Sequence, residues 1–236
     1  MSNNFGIYIH IPFCVKKCSY CDFISFSNRD NLIEKYIEAL KNEIERFDFS
    51  KYIVTTIYIG GGTPSYLNAK YIIEILTLLR NKLVNNKITW KDLEITIEVN
   101  PGTVSKEKLE NYKMLGINRL SIGLQSTSNR LLKEIGRIHT YEDFLDTYNI
   151  AKEVGFDNIN VDLMIALPNQ SIKDIKESLE KIIFLNPNHI SVYSLIVEEE
   201  TLISKWLTEG KVTLPSDEEE RRMYWYVKNF LELSRI

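Results

Sequence analysis

Apolar and polar positions run along this chain in blocks that read as strand, then helix, repeated. Phe5 to Ile11 is an apolar run of strand length. From about Asn31 to Phe47, the residues Leu32, Tyr36, Leu40 and Ile44 recur at i, i+4 spacing and predict a helix. The β-branched run Val54 to Ile59 leads into Gly60-Gly61-Gly62, and a helical stretch follows from Tyr71 to Leu83. Leu93 to Val99 predicts a third strand that stops at Asn100-Pro101-Gly102, with Ser105 placed to cap the next helix. Arg119 to Leu124 is the fourth strand, followed by helical material broken near Gly136. Asn158 to Leu167 is the fifth, stopped by Pro168, with a helix over about Ile172 to Leu185, and His189 to Val197 is the sixth.

Strand and helix in series imply a parallel sheet with right-handed crossovers. Six units are fewer than the eight of a closed barrel. The expected fold is therefore α/β, a partial (β/α)6 barrel with an open, curved parallel sheet, filling residues 1–197 as one core domain. Beyond it the pattern changes: Asp217 to Arg222 is charge-rich and helical, and Met223 to Leu233 continues with apolar residues. The chain stops at Ser234-Arg235-Ile236 without a capping glycine or a polar tail. Residues 198–236 are expected to begin a C-terminal helical extension of a larger, truncated protein.

Composition narrows the function classes. The 236 residues suffice for a sizeable core, and 29 Lys and Arg against 32 Asp and Glu give a net charge of −3. That balance argues against a basic surface for nucleic acid. No apolar run reaches the roughly 18 residues of a membrane span. Met1-Ser2-Asn3-Asn4 does not resemble a signal peptide, so the expected address is cytoplasmic.

The cysteines change the picture most. All three fall within eight residues, Cys14-x3-Cys18-x2-Cys21, just past the first strand. Parallel α/β proteins place their chemistry at such strand ends. An odd, tightly grouped set is a poor disulfide framework and a good metal or redox site in a reducing compartment. Three thiolates on one loop can reach three corners of a cubane iron–sulfur cluster, leaving one iron open to a ligand. The competing reading is a structural zinc site with His10 as fourth ligand, although no second ligand pair follows.

The spacing resembles the signature of the radical SAM superfamily. Further blocks are similar to those of its oxygen-independent coproporphyrinogen III oxidase-like family, in the same order. They are Tyr8 to Cys14, Cys18 to Phe23, Gly60 to Ser65, Glu98 to Gly102, Ser121 to Ser126, Gly136 to His139 and Asn160 to Met164. The resemblance spans nearly the whole chain. It implies a [4Fe–4S] cluster on Cys14, Cys18 and Cys21, and S-adenosylmethionine on the open iron. One electron from the cluster would break the sulfonium bond, giving methionine and a 5′-deoxyadenosyl radical.

The same resemblance nominates contacts for S-adenosylmethionine. The glycine loop supplies Gly61, Gly62 and Thr63, where a missing Cβ permits close approach. Glu98 offers a carboxylate to a cationic ligand, while Gln125 and Arg137 can grip a carboxylate. Asp162, among Val161, Leu163 and Met164, needs a partner if buried, whether ligand or a structural ion pair with Arg137. Tyr8 and Tyr20 flank the cluster loop. His139 and His189 are read as structural, and Tyr224-Trp225-Tyr226 as helix packing.

Two branches of the family share these motifs: coproporphyrinogen dehydrogenases, and haem chaperones that pass haem to acceptor proteins. The dehydrogenases carry a further cysteine where Phe23 stands here, and a longer N-terminal extension, so the resemblance favours the chaperones. Their His-Asn-x-x-Tyr-Trp haem motif does not occur in this sequence. The partners implied are S-adenosylmethionine, haem or a porphyrinogen, an electron donor protein and haem acceptors, with haem held by a region outside this chain.

Overall fold

The computed structural model describes residues 4–84 and 88–234. Six parallel strands form one sheet: β1 (Asn4–Ile11), β2 (Ile53–Gly61), β3 (Glu94–Val99), β4 (Arg119–Gln125), β5 (Asn158–Ile165) and β6 (His189–Ser194). Each strand pairs with the next in sequence, and β1 and β6 are the two edges. The result is the expected curled, open half-barrel. The fifth and sixth strands end earlier than the apolar pattern suggests, at Ile165 and Ser194. Ala166 takes a positive φ of 58°, which ends the fifth ladder although its side chain is apolar.

Strict alternation along the strands separates two surfaces. Ile9, Ile57, Ile59, Ile95, Ile97, Leu120, Ile122, Ile159 and Val161 are buried on the outer face under the helices. The opposite parity is polar and lines the concave side. One cross-strand row there runs Glu98, Ser121, Asn160 and His189, and the next includes Gly123, Asp162 and Ser191. A register shift between Gly123 and Gln125 then bulges β4 at its end.

The crossover helices are α1 (Ile33–Arg46), α2 (Ala69–Val84), α3 (Lys106–Met114), α4 (Asn129–Glu134), α5 (Tyr141–Glu153) and α6 (Ile172–Phe184). Their starts are encoded locally. Ser105 caps α3 by accepting from Lys108 N–H, as its sequence position predicts, and Thr140–Asp143 and Ser171–Asp174 form capping boxes. Gly136 lies in the break between α4 and α5.

The charged 217–222 segment and the apolar stretch after it are one helix, α8 (Asp217–Ser234), preceded by the short α7 (Leu202–Thr208), which the apolar pattern does not announce. Met223 and Val227 of α8 join the same core as the barrel strands. A smaller cluster gathers Leu131, Ile135, Met164, Leu167, Leu195 and Ile203 near Tyr20. It anchors the cysteine loop: Ser19 N–H donates to Ile135 O (3.1 Å), and Ile203 N–H donates to Ser19 O (2.9 Å). No described helix is long and apolar enough to cross a membrane.

Candidate functional site

The loops after β1 to β4, together with the ends of β5 and β6, enclose a cavity of about 210 Å³ at the C-terminal edge of the sheet. Cys14, Cys18 and Cys21 all line it and are free thiols. The loop is held beside β1 by a two-residue strand pair, Phe13–Cys14 with Phe26–Ser27. Burial pushes the Cys14 and Cys21 thiols up. Thr63 Oγ1 donates toward Cys14 Sγ (3.4 Å), which opposes the upward push there, and Arg137 Nη1 donates toward Cys18 Sγ (3.5 Å).

Three thiols turned to one cavity, two of them facing N–H or O–H donors, fit a thiolate-ligated cluster. They fit a zinc ion poorly. Both ring nitrogens of His10 are occupied, Nδ1 by Tyr8 Oη (3.0 Å) and Nε2 by Ile24 O (2.8 Å). Among the described residues no three His, Cys, Asp or Glu side chains converge on a single ion, as bonds of about 2.0–2.3 Å would require.

The glycine loop meets the thiols at close range. A Cβ on Gly62 would stand 2.9 Å from Cys14 Sγ, and one on Gly61 would stand 2.6 Å from the His10 ring. Gly61 also takes φ +116°, a backbone state that side chains resist. Gly61, Gly62 and Thr63 therefore line the cavity because the backbone itself forms that wall.

Two carboxylates enter from the concave face. Glu98 accepts from Tyr58 Oη–H (2.9 Å) and Gly61 N–H (3.0 Å), yet burial pushes it up to about 7. Asp162 accepts from Asn160 Nδ2 (2.7 Å) and Ser121 Oγ (3.1 Å), and burial raises it too. Neither forms a salt bridge among the described residues. The structural ion pair between Asp162 and Arg137 is not formed. Arg137 instead reaches Cys18, Gly123 O and Asn100 Oδ1, and its buried Nε–H has no partner. The cavity thus offers two carboxylates outside any salt bridge among the described residues and a guanidinium Nε–H without an acceptor.

Gln125 also lines the cavity, at φ +70°, a left-handed state costing a non-glycine residue of order 1–3 kcal/mol. Tyr20 lines it, with its hydroxyl pKa raised by burial. Tyr8 is different. It is 57 % exposed, stacks near Tyr58 and lies outside the cavity lining. Phe23 stands at the rim, 61 % exposed. His139 is buried against Leu124 O with its pKa lowered to about 3, and His189 holds Asn160 Oδ1 at 2.5 Å. Sequence reasoning passed over Tyr58, Asn100, Ser121, Asn160 and Tyr193. All but Asn100 share the concave parity of Glu98 or Asp162 on their strands, so a period-two reading would have found them.

Comparison with known proteins agrees with this fold. The family model for the radical SAM superfamily matches residues 8–182. A heme chaperone HemW from Lactococcus lactis is 39 % identical over 228 residues, covering 95 % of this chain and 58 % of that protein. One from Bacillus subtilis is 37 % identical over 232 residues, covering 97 % and 60 %. The solved structure of coproporphyrinogen III oxidase (HemN) from Escherichia coli, described as a radical SAM enzyme, superposes with a TM-score of 0.83 at 29 % identity. That match covers 99 % of this chain and 53 % of the other. The chain spans less than two thirds of the length of each of these relatives.

Proposed function

The chain belongs to the radical SAM superfamily, and from that premise we propose that it holds a [4Fe–4S] cluster on Cys14, Cys18 and Cys21 and binds S-adenosylmethionine beside it, as the core of a haem chaperone. When bound, the cluster supplies an open iron and the electron that breaks the sulfonium bond. The chain's own residues supply binding, orientation and shielding.

One observation carries this reading: the thiols share a cavity with two carboxylates that form no salt bridge among the described residues and with an Arg137 Nε–H that has no acceptor. S-adenosylmethionine carries the complementary groups, a sulfonium, an ammonium and a carboxylate. Glu98 and Asp162 would face its positive charge, and Arg137 its carboxylate. Gly61 and Gly62 let the backbone approach, and Thr63 and Arg137 hold the thiolates with N–H and O–H donors. Tyr20 closes the cavity from the loop side, while Tyr8 acts from outside by fixing His10 against Gly61.

The chaperone reading is supported by the names of the relatives and by Phe23 at the rim, where the dehydrogenases carry a cysteine. Haem, an electron donor and haem acceptors are then its partners, with the haem site outside these residues.

Anaerobic reconstitution with iron and sulfide tests the cluster. About four irons per chain are expected, with loss of uptake in Cys18→Ala. Reduction in the presence of S-adenosylmethionine should then yield 5′-deoxyadenosine. Iron uptake unchanged in Cys18→Ala would overturn the ligand set. A loaded protein that neither binds nor cleaves S-adenosylmethionine would overturn the cavity reading.

A further inference from the structure

The C-terminal end of β6 brings an aromatic side chain to the cavity that no sequence motif announces. Tyr193 lines the cavity and keeps 42 % of its surface open, yet its hydroxyl donates to Gln125 Oε1 at 2.8 Å. Gln125 lies two strands away, on β4, so this bond bridges the end of β5 above Asp162.

The bond ties the Gln125 amide to the sixth strand. The amide oxygen accepts from Tyr193, and among the described residues its nitrogen has no partner. That nitrogen and Arg137 Nη2 both lie over Gly123, each within 3.3 Å of where a Cβ there would stand. Arg137 Nη2 already donates to Gly123 O and Asn100 Oδ1, which uses both of its protons. The Tyr193 hydroxyl both donates and accepts, so its contact with the Gln125 amide persists whichever amide atom faces it. Burial and the Asp162 carboxylate keep the phenol protonated, so it remains a donor.

We propose that Tyr193 is a positioning residue that holds the Gln125 amide at the cavity wall, where it meets bound S-adenosylmethionine. The held amide and the free Arg137 Nε–H then present hydrogen-bonding groups to the ligand. Gln125 makes this contact from a positive-φ backbone, φ +70°. The inference rests on the S-adenosylmethionine reading of the cavity and adds to it a residue from the sixth strand.

The test is a double-mutant cycle on equilibrium binding of S-adenosylmethionine to the reconstituted 236-residue protein. Tyr193→Phe keeps the ring and removes the bond, and should weaken binding about fivefold, as loss of one net hydrogen bond implies. Iron content and thermal midpoint should stay at wild-type values. Gln125→Asn tolerates the left-handed backbone but is too short to keep the contact. In that background Tyr193→Phe should cause no further loss, because the two residues act as one unit. Gln125→Met repeats the cycle should the Asn variant fold poorly. Undiminished binding by Tyr193→Phe, or the same fivefold loss with Gln125 already replaced, would overturn the Tyr193 role alone. Absence of binding in the loaded wild type would overturn the cavity reading and this inference with it.

Discussion

The two faces of the sheet are built from the same strands and obey opposite rules. On the convex face nearly every position is Ile, Leu or Val, buried beneath helices and interchangeable in chemistry if not in shape. On the concave face the same strands place Tyr58, Glu98, Ser121, Asn160, Asp162 and Tyr193, each held by a hydrogen bond that crosses to another strand, Tyr193 through Gln125. The convex face sets how tightly the molecule holds together. The concave face spends some of that stability on buried carboxylates that form no salt bridge among the described residues.

The largest effect that separates the faces is at the cavity. Cys18→Ala should abolish cluster uptake, read as iron per chain, while leaving the thermal midpoint of the metal-free protein close to wild type. Next in size, Ile97→Ala on the convex face leaves a cavity in a fully buried position. It should cost about 2–5 kcal/mol of stability, measured by denaturant unfolding. Binding of S-adenosylmethionine per folded molecule should be unchanged. A drop in both would mean that the faces are not independent.

Glu98 supplies a smaller, pH-dependent difference. Its pKa near 7 in the free protein means that at pH 6 most molecules must release a proton before the carboxylate can face a cation. Binding favours the ionised form, so affinity should rise with pH and level off above 7. Between pH 6 and 8 the gain should be about tenfold by linkage, measured by calorimetry at both values. Glu98→Gln should flatten the profile. A wild-type affinity independent of pH would remove Glu98 from the ligand's charged surroundings.

The smallest effect belongs to the helices outside. Ser171→Ala removes the capping box of α6 and should cost about 1 kcal/mol. It should lower the thermal midpoint without changing iron content or ligand affinity.

Much of the fold was legible because each strand and helix advertises itself locally. Apolar runs marked the six strands, and Ser105, the glycines and Pro168 marked turns and caps. Strand ends were less legible. Leu167, Leu195 and Val197 are apolar because they pack into the small cluster beside the cysteine loop, not because they continue a ladder. The short α7 was missed for the same reason, since Ile203 is buried by tertiary packing within a polar stretch.

By itself, the sequence determined the order of elements and the three thiols on one loop. Periodicity and spacing are short-range, and a Cys-x3-Cys-x2-Cys loop is a local property of the chain. The tertiary structure alone decided how those groups are electrostatically arranged. Only folding brings Arg137 to Cys18, 119 residues away, and Tyr193 to Gln125, 68 away. Only folding buries Glu98 and Asp162 outside any salt bridge among the described residues and leaves the Arg137 Nε–H without an acceptor. Burial and pairing depend on what lies across the sheet, and the strand order that sets those neighbours is a property of the whole chain.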